Sequence, residues 1–407
     1  MTTRIALLLT TVAVGAADAA LLDTRYWEAG HLEAIRAGRL ADDPAVTASL
    51  ESLRREADDA LRDGPYTVVD KAIVPPSGDK HDYLSFSRYW WPNPDTPDGL
   101  PYIRRDGEVN RKLLANGDRV RIGRMYDDFE ALALAAYLIN EQVYAPKAVE
   151  TLRTWFLDPA TRMNPNLNFA QGVPGKAAGR APGIIDTRHF IRVIEGVALL
   201  ESIGRIEPAE VMALRAWFDE FLTWLLESEL GRKERAAANN HGFWFAAQAA
   251  RIAVFVGKPD VAAELIEETL DRRMAEGFEA DGSQPEELKR TQSLHYSLFS
   301  LSALTSLARL AEGSDISADV WSHVTPNGAS VRAAMDFAAP FAAKPGEWTH
   351  PQIKRFKVSD RQSMLFYLAA SRLDEPAYLD HLDLSDKRFQ GRHLAPLMFS
   401  RPDSARQ

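Results

Sequence analysis

The stretch NNHGFWFAAQAARIAVFVGKPDVAAELIEETLDRRMA, residues 239–275, reads as two helices with a sharp stop between them. The first runs to about 256 and ends at Gly257-Lys258-Pro259. Glycine suits the left-handed turn after a helix, and proline cannot continue one but readily opens the next. A helix, a tight break and a second helix is the unit of an antiparallel helical hairpin.

The pattern repeats outward from there. Pro208 opens a long helix whose Val211, Leu214, Phe218, Phe221, Leu222 and Leu225 fall on one face. Helical spacing also covers 44–62, 127–140, 146–157, 187–202, 285–310, 329–338 and 361–373. Strand-like alternation is scarce, and no repeat of fixed period appears. The expectation is an all-α chain, an incomplete (α/α) toroid of antiparallel hairpins whose central groove is lined by helix ends and loops. Two segments break the pattern: 63–110 and 164–186, both rich in proline and glycine, the first also in aromatics. Loops this long in a compact domain are usually functional.

Composition bounds the reading. The 407 residues contain no cysteine, 46% hydrophobic residues, nine tryptophans and eleven tyrosines. Such a chain buries a large core without disulfides, and its surplus aromatics serve either that core or the flat faces of sugars. A net charge of −9 argues against general nucleic-acid binding, which needs a basic footprint, but leaves room for a local basic cleft. Arg4, the apolar run 5–16 and Ala17-Asp18-Ala19 form the pattern of an export signal at 1–19, with a buried first helix as the alternative. The expectation is one domain over 20–407, periplasmic or secreted, with no membrane span because no later apolar run is long enough.

Three constellations carry chemistry. Asn239-Asn240-His241-Gly242-Phe243-Trp244 is either a helix cap or an amide and an imidazole presented to the groove. Residues 284–296 place Arg290, His295 and Tyr296 together. On a continuous helix Tyr296 lies opposite the Leu294, Leu298 and Leu301 stripe, and Arg290 lies about 120° away from it, so only a long reach or a non-helical start brings the two together. Lys80, His81, Tyr83, Arg88, Tyr89, Trp90 and Trp91 form the third group, a loop that is either a lid over a charged sugar or a segment pinned by buried aromatics. The nine histidines form no metal-binding pair at helical spacing, and nucleotide or serine-hydrolase motifs are missing, so no cofactor is expected.

Together, KHDYLSFSRYWWPNPDTPDGLPYIRRDGEVN (80–110), NNHGFW (239–244) and DGSQPEELKRTQSLHYSLFSL (281–301) resemble the alginate lyase superfamily. The nearest families are polysaccharide lyase family 5 and the related family 38, and the likeness spans about 80–366. The resemblance implies an acidic polysaccharide substrate and an asparagine, histidine, arginine and tyrosine set, here Asn240, His241, Arg290 and Tyr296. In family 5 the catalytic tyrosine follows Leu-His-Tyr by three residues, with the arginine seven before it. This chain has Phe299 and Gln292 at those positions, which points to the family 38-like branch.

The implied reaction, β-elimination, removes a uronate C5 proton and expels the C4 oxygen. Donors must stabilise the charge that builds on the carboxylate, a task for Asn240 and Arg290, with Gln171 a further candidate. Where proton and leaving group share a face, Tyr296 serves as base and then acid. Where they lie on opposite faces, His241 is the base and Tyr296 the acid. Trp244 and His295 are further substrate-binding candidates. The rival expectations are a glycoside hydrolase on the same toroid and a non-catalytic polyuronate-binding protein.

Overall fold

The computed structural model describes residues 22–314, 316–382 and 393–402, and the expected export signal at 1–19 lies outside them. Eleven α-helices of eight or more residues occur among the described residues. In chain order they are α1 (Ala29–Arg36), α2 (Pro44–Ala60), α3 (Arg119–Leu138), α4 (Glu141–Leu152), α5 (Phe190–Ser202), α6 (Pro208–Glu227), α7 (Asn240–Phe255), α8 (Pro259–Glu268), α9 (Ser293–Glu312), α10 (Val331–Ala338) and α11 (Asp360–Arg372). None is long and apolar enough to cross a membrane.

From α3 onward the helices alternate between an inner and an outer layer. Each inner helix packs on the next, α3 on α5, α5 on α7, α7 on α9 and α9 on α11, while α4, α6, α8 and α10 back them from outside. The result is an (α/α) toroid. Sequence explains the sorting. Twelve of the thirteen residues of α5 and fourteen of the sixteen of α7 are buried, most of them apolar or small, and the buried charges Glu195 and Arg251 pair with each other across the two helices. Small residues set the spacing: a Cβ on Gly196 of α5 would come within 2.5 Å of Phe129 and 3.1 Å of Ala133 on α3. The first and last inner helices meet through charge, because Arg361 of α11 and Arg192 of α5 both bind Asp127 and Glu130 of α3.

The two irregular segments fold against each other. Strand β1 (Leu84–Phe86) of the first pairs in parallel with β4 (Phe169–Gly172) of the second. Between them in sequence, β2 (Trp90–Trp91) and β3 (Ile103–Arg104) form a short antiparallel hairpin. The base of this lid is held by a fully buried ion pair, Lys71 Nζ to Asp118 Oδ2 at 2.9 Å. Asp118 also accepts from the Leu84 amide at 2.9 Å, and Lys71 donates to the Lys80 carbonyl at 2.7 Å.

One expected helix is interrupted. The segment 285–310 forms a single turn at Pro285–Leu288, leaves helical geometry, and resumes at Ser293 as α9. The Ser293 and Ile353 amides there bond across to Pro351 and Thr291 carbonyls, so a neighbouring loop satisfies the break.

Candidate active site

A cleft of about 920 Å³ opens at the end of the inner helices. It is lined by the lid from Ser87 to Asp106, the turn leading into α5, the first turn of α7, the interrupted segment with α9, and the start of α11, together with Tyr26, Arg119, Gln171 and Arg180. Nine Lys and Arg side chains line it against two acidic ones, Asp106 and Glu286. On a chain of net charge −9 this is a concentrated positive field.

The start of α7 resolves the cap question by dividing the two asparagines. Asn239 is the cap, its Oδ1 accepting from the His241 amide at 3.1 Å. Asn240 is fully buried; its amide N–H and side-chain Nδ2 donate to Glu287, at 2.7 Å and at 2.9 and 3.0 Å. Its Oδ1 has no protein partner. Burial raises the Glu287 carboxyl above its ordinary range, and the Asn240 bonds only partly offset that.

His241 lines the cleft with Nδ1 bonded to Glu234 Oε1 at 2.6 Å. A carboxylate accepts, so Nδ1 carries a proton, and in the neutral imidazole the lone pair falls on Nε2. Gly242 lets this turn form, since a Cβ there would sit 1.9 Å from the Ala237 carbonyl oxygen.

The helix break explains how Arg290 reaches Tyr296. Free of helical register, the Arg290 guanidinium lies 3.7 Å from the centre of the Tyr296 ring. It is also tied to Asp106 of the lid at 2.9 and 3.3 Å, and Thr291 Oγ1 joins at 2.9 Å. Burial alone would raise the Asp106 carboxyl, but Arg290 and Arg104 outweigh it and hold the acid well below the ordinary carboxylate range. The Tyr296 hydroxyl meets the Tyr89 hydroxyl from the lid at 2.7 Å. Burial pushes Tyr296 well above its ordinary value, the neighbouring Tyr89 adds to that, and Arg290 opposes it.

Of the remaining expected residues, Arg88, Trp90, Gln171, Trp244 and His295 also line the cleft. Gln171 spends its amide on Asp186 at 3.0 Å, so it supports the wall of the cleft. His295 stacks on Phe299 and is lowered to about 4 by burial and by Arg88 and Arg188, which keeps it neutral at neutral pH. Lys80, His81, Tyr83 and Trp91 do not line it. Lys80 is exposed at the foot of the lid, and His81 Nδ1 bonds the Arg162 carbonyl at 2.6 Å. Tyr83 is fully buried with its hydroxyl on Asp186 at 3.1 Å. Trp91 alternates away from Trp90 on its strand and donates to the Glu108 carbonyl.

Sequence reasoning missed several residues here. Asp106 and Glu234 carry no local motif: Asp106 matters through Arg290, 184 residues away, and Glu234 through His241, seven residues on and across a helix break. The run Asp186, Arg188, His189, Arg192 closes the second irregular segment, and its density of charge beside an apolar helix was a usable signal. Six of the nine cations have carboxylate partners: Arg104 and Arg290 on Asp106, Arg119 on Asp186, Arg192 and Arg361 on Asp127 and Glu130, and Lys289 on Glu286. Among the described residues, Arg88, Arg180 and Arg188 have no carboxylate within ion-pairing distance. No group of three or more His, Asp or Glu among those residues is arranged to hold a metal ion.

The family model described as alginate lyase matches residues 67–348. The crystal structure of an alginate lyase from Bacteroides ovatus is similar at TM-score 0.85 and 33% identity, covering 93% of this chain and 99% of that one. A histidine-to-alanine variant of alginate lyase A1-III complexed with a tetrasaccharide shares the fold at TM-score 0.57 and 17% identity, covering 88% of this chain and 96% of that one. The apo form of that variant gives TM-score 0.53 at 16% identity, over 94% and 98%. No curated protein sequence matches.

Proposed function

Since this chain belongs to the alginate lyase family and is a polysaccharide lyase, we propose that it cleaves a polyuronate by metal-independent β-elimination, leaving 4,5-unsaturated uronate ends. Alginate, above all mannuronate-rich alginate, is the leading substrate, with glucuronan second. The observation that carries the reading is the presence, in one strongly positive cleft, of a tyrosine whose ring lies under a guanidinium and of a histidine held through Nδ1 by a carboxylate.

The uronate carboxylate enters a cleft with far more positive than negative side chains, which favours the extra charge that builds as C5 loses its proton. Asn240 acts differently from the sequence expectation: its backbone N–H and Nδ2 are spent on Glu287, so it ties the start of α7, whose dipole favours an anion, to the segment that carries Arg290. So does Arg290. Its charge is already matched by Asp106, and it lies across Tyr296, where it favours the phenolate. For mannuronate, Tyr296 takes the C5 proton and returns it to the leaving C4 oxygen on the same face. For guluronate or glucuronate, His241 Nε2 takes the proton and Tyr296 donates from the other side. In this reading the arginines of the cleft supply the stabilisation that a metal would otherwise provide.

The test is incubation with mannuronate-rich and guluronate-rich alginate, glucuronan and a hyaluronan-type polymer, read by near-ultraviolet absorbance and product mass. The reading expects unsaturated oligosaccharides from at least one polyuronate. Reducing ends without a double bond would mark a hydrolase, and binding without products a non-catalytic protein. From the 1–19 segment we also propose export to the periplasm or beyond, which a mature N-terminus near Ala20 would support.

A further inference from the structure

Arg188 is one of the three cleft arginines without a carboxylate partner among the described residues, and the one that lies over the Trp244 and Phe299 rings. It sits on the turn into α5, and among the described residues its side chain makes one hydrogen bond, from Nη1 to the Ile185 carbonyl at 3.0 Å. Its Nε is buried without a partner. Asp186, two positions earlier, offers nothing further: its carboxylate already accepts from Tyr83, Ser85, Gln171 and Arg119. The other strong charges felt at Arg188, from Arg119 and Arg88, are positive, and burial with these neighbours pulls the guanidinium down to about 9. Holding a desolvated cation among cations is unfavourable unless an anion completes the site.

The second observation is independent. The Arg188 guanidinium lies over two aromatic rings, 5.4 Å from the centre of Phe299 and 5.8 Å from that of Trp244. Trp244 is 7% exposed, lines the same cleft, and its indole Nε1 is buried without a partner. An indole N–H buried next to an apolar wall ordinarily finds an acceptor. Here two neighbouring donors, one charged and one neutral, are both unspent beside aromatic surface. Trp244 lies three residues after His241 on α7, so its side chain sits about one helical turn from that histidine.

We propose that Arg188 and Trp244 form a uronate-binding subsite distinct from the residue being cleaved. The Arg188 fork and the Trp244 N–H receive one sugar carboxylate, and the Trp244 and Phe299 rings form its apolar wall. The proposal rests on the polyuronate reading above. It adds a specificity rule: a good substrate carries a carboxylate on a neighbouring residue as well as on the one that loses its C5 proton. Polymers charged on every residue meet that rule, whereas polymers in which a neutral sugar falls at this subsite do not.

The experiment is calorimetric titration of the full chain carrying Tyr296→Phe with a mannuronate tetrasaccharide, and with the same oligosaccharide after reduction of its carboxyls to alcohols. Adding Arg188→Gln weakens binding of the acidic ligand by roughly 10- to 100-fold, the range for a hydrogen bond to a charged group. Arg188→Lys falls between, because charge remains and the fork is lost. Trp244→Phe, which keeps a ring but no N–H, weakens it by roughly fivefold, the scale of one neutral hydrogen bond. The reduced ligand shows little difference between these proteins. In the background with Tyr296 intact, Arg188→Gln raises KM far more than it lowers kcat.

Unchanged affinity in a folded Arg188→Gln protein overturns the subsite, as do equal losses for acidic and reduced ligands. If Arg188→Gln does not fold, Arg188→Lys and Trp244→Phe decide by the same criterion. Unsaturated products from the unmodified enzyme alongside unaltered binding sink the subsite alone. An enzyme that neither binds nor cleaves any polyuronate sinks the functional reading, and the subsite with it.

Discussion

The guanidinium of Arg290 lies 3.7 Å from the centre of the Tyr296 ring while Asp106 holds its Nε and Nη2 from the lid. One arginine thus joins the lid to the tyrosine. Its alignment depends on the carboxylate, so Arg290→Ala and Asp106→Ala produce the same kind of defect. Each lowers kcat by roughly 100-fold, the scale of one preorganised electrostatic partner. Folding stability drops by only about 1–2 kcal/mol, the size of a cation–π contact with partial burial. Steady-state kinetics beside urea melts check this, and normal kcat in either variant contradicts the role given to the pair.

The pH profile separates the two stereochemical routes. Burial holds Tyr296 above the ordinary phenol value, with Tyr89 adding to the effect, so the hydroxyl keeps its proton at neutral pH. As a base it must first lose that proton, and the rate on mannuronate blocks rises by up to about tenfold per pH unit from neutral to mildly alkaline conditions. As an acid it is already in the required form, so guluronate or glucuronan cleavage shows no such alkaline rise. Parallel kcat profiles on the two block types would show that one route serves both.

His295 gives a stability signature on the acid side. Its folded value is lowered from the ordinary 6.5 to about 4, first by burial and then by Arg88, Arg188 and Arg290. Between those values the unfolded chain binds a proton that the folded chain refuses, so stability falls as pH drops below about 6.5 and the loss from this group is complete near 4. His295→Gln removes the titration. Its melting temperature falls less between pH 7 and pH 4.5 than that of the unaltered protein, and equal falls contradict the assignment.

Gly196 tests the packing of the ring. A Cβ there would meet Phe129 Cε1 at 2.5 Å, on an inner helix pair with no slack. Gly196→Ala destabilises the fold by about 1–3 kcal/mol through overpacking, despite alanine's better helix propensity. Denaturant midpoints read this directly, and a stabilised variant would show that α3 and α5 can move apart.

How much of this was legible in the sequence differs by element. The helical hairpins were, because Gly257 and Pro259 punctuate the chain and the Val211 to Leu225 stripe has the helical period. The inner and outer alternation was not, since it emerges only when α5 and α7 are found buried on every side. Asn240, His241, Arg290 and Tyr296 were visible as a set, but their partners Glu287, Glu234, Asp106 and Tyr89 lie 7 to 207 residues away along the chain. The segment 80–91 left two alternatives open, a lid over a charged sugar or a loop pinned by buried aromatics, and it is both: Tyr89 and Trp90 line the cleft, whereas Tyr83 is buried. The break at 289–292 carries no glycine or proline, so nothing local announced the non-helical start that delivers Arg290 to its ring.

The central claim, elimination through Tyr296 and His241, is tested most directly by the product absorbance of two variants on two substrates. Tyr296→Phe abolishes the near-ultraviolet signal on both mannuronate-rich and guluronate-rich alginate, while circular dichroism and melting stay as in the unaltered protein. His241→Ala abolishes it on the guluronate-rich polymer, where the imidazole is the base, and lowers it on the mannuronate-rich one. Full formation of unsaturated product by folded Tyr296→Phe would contradict the account outright.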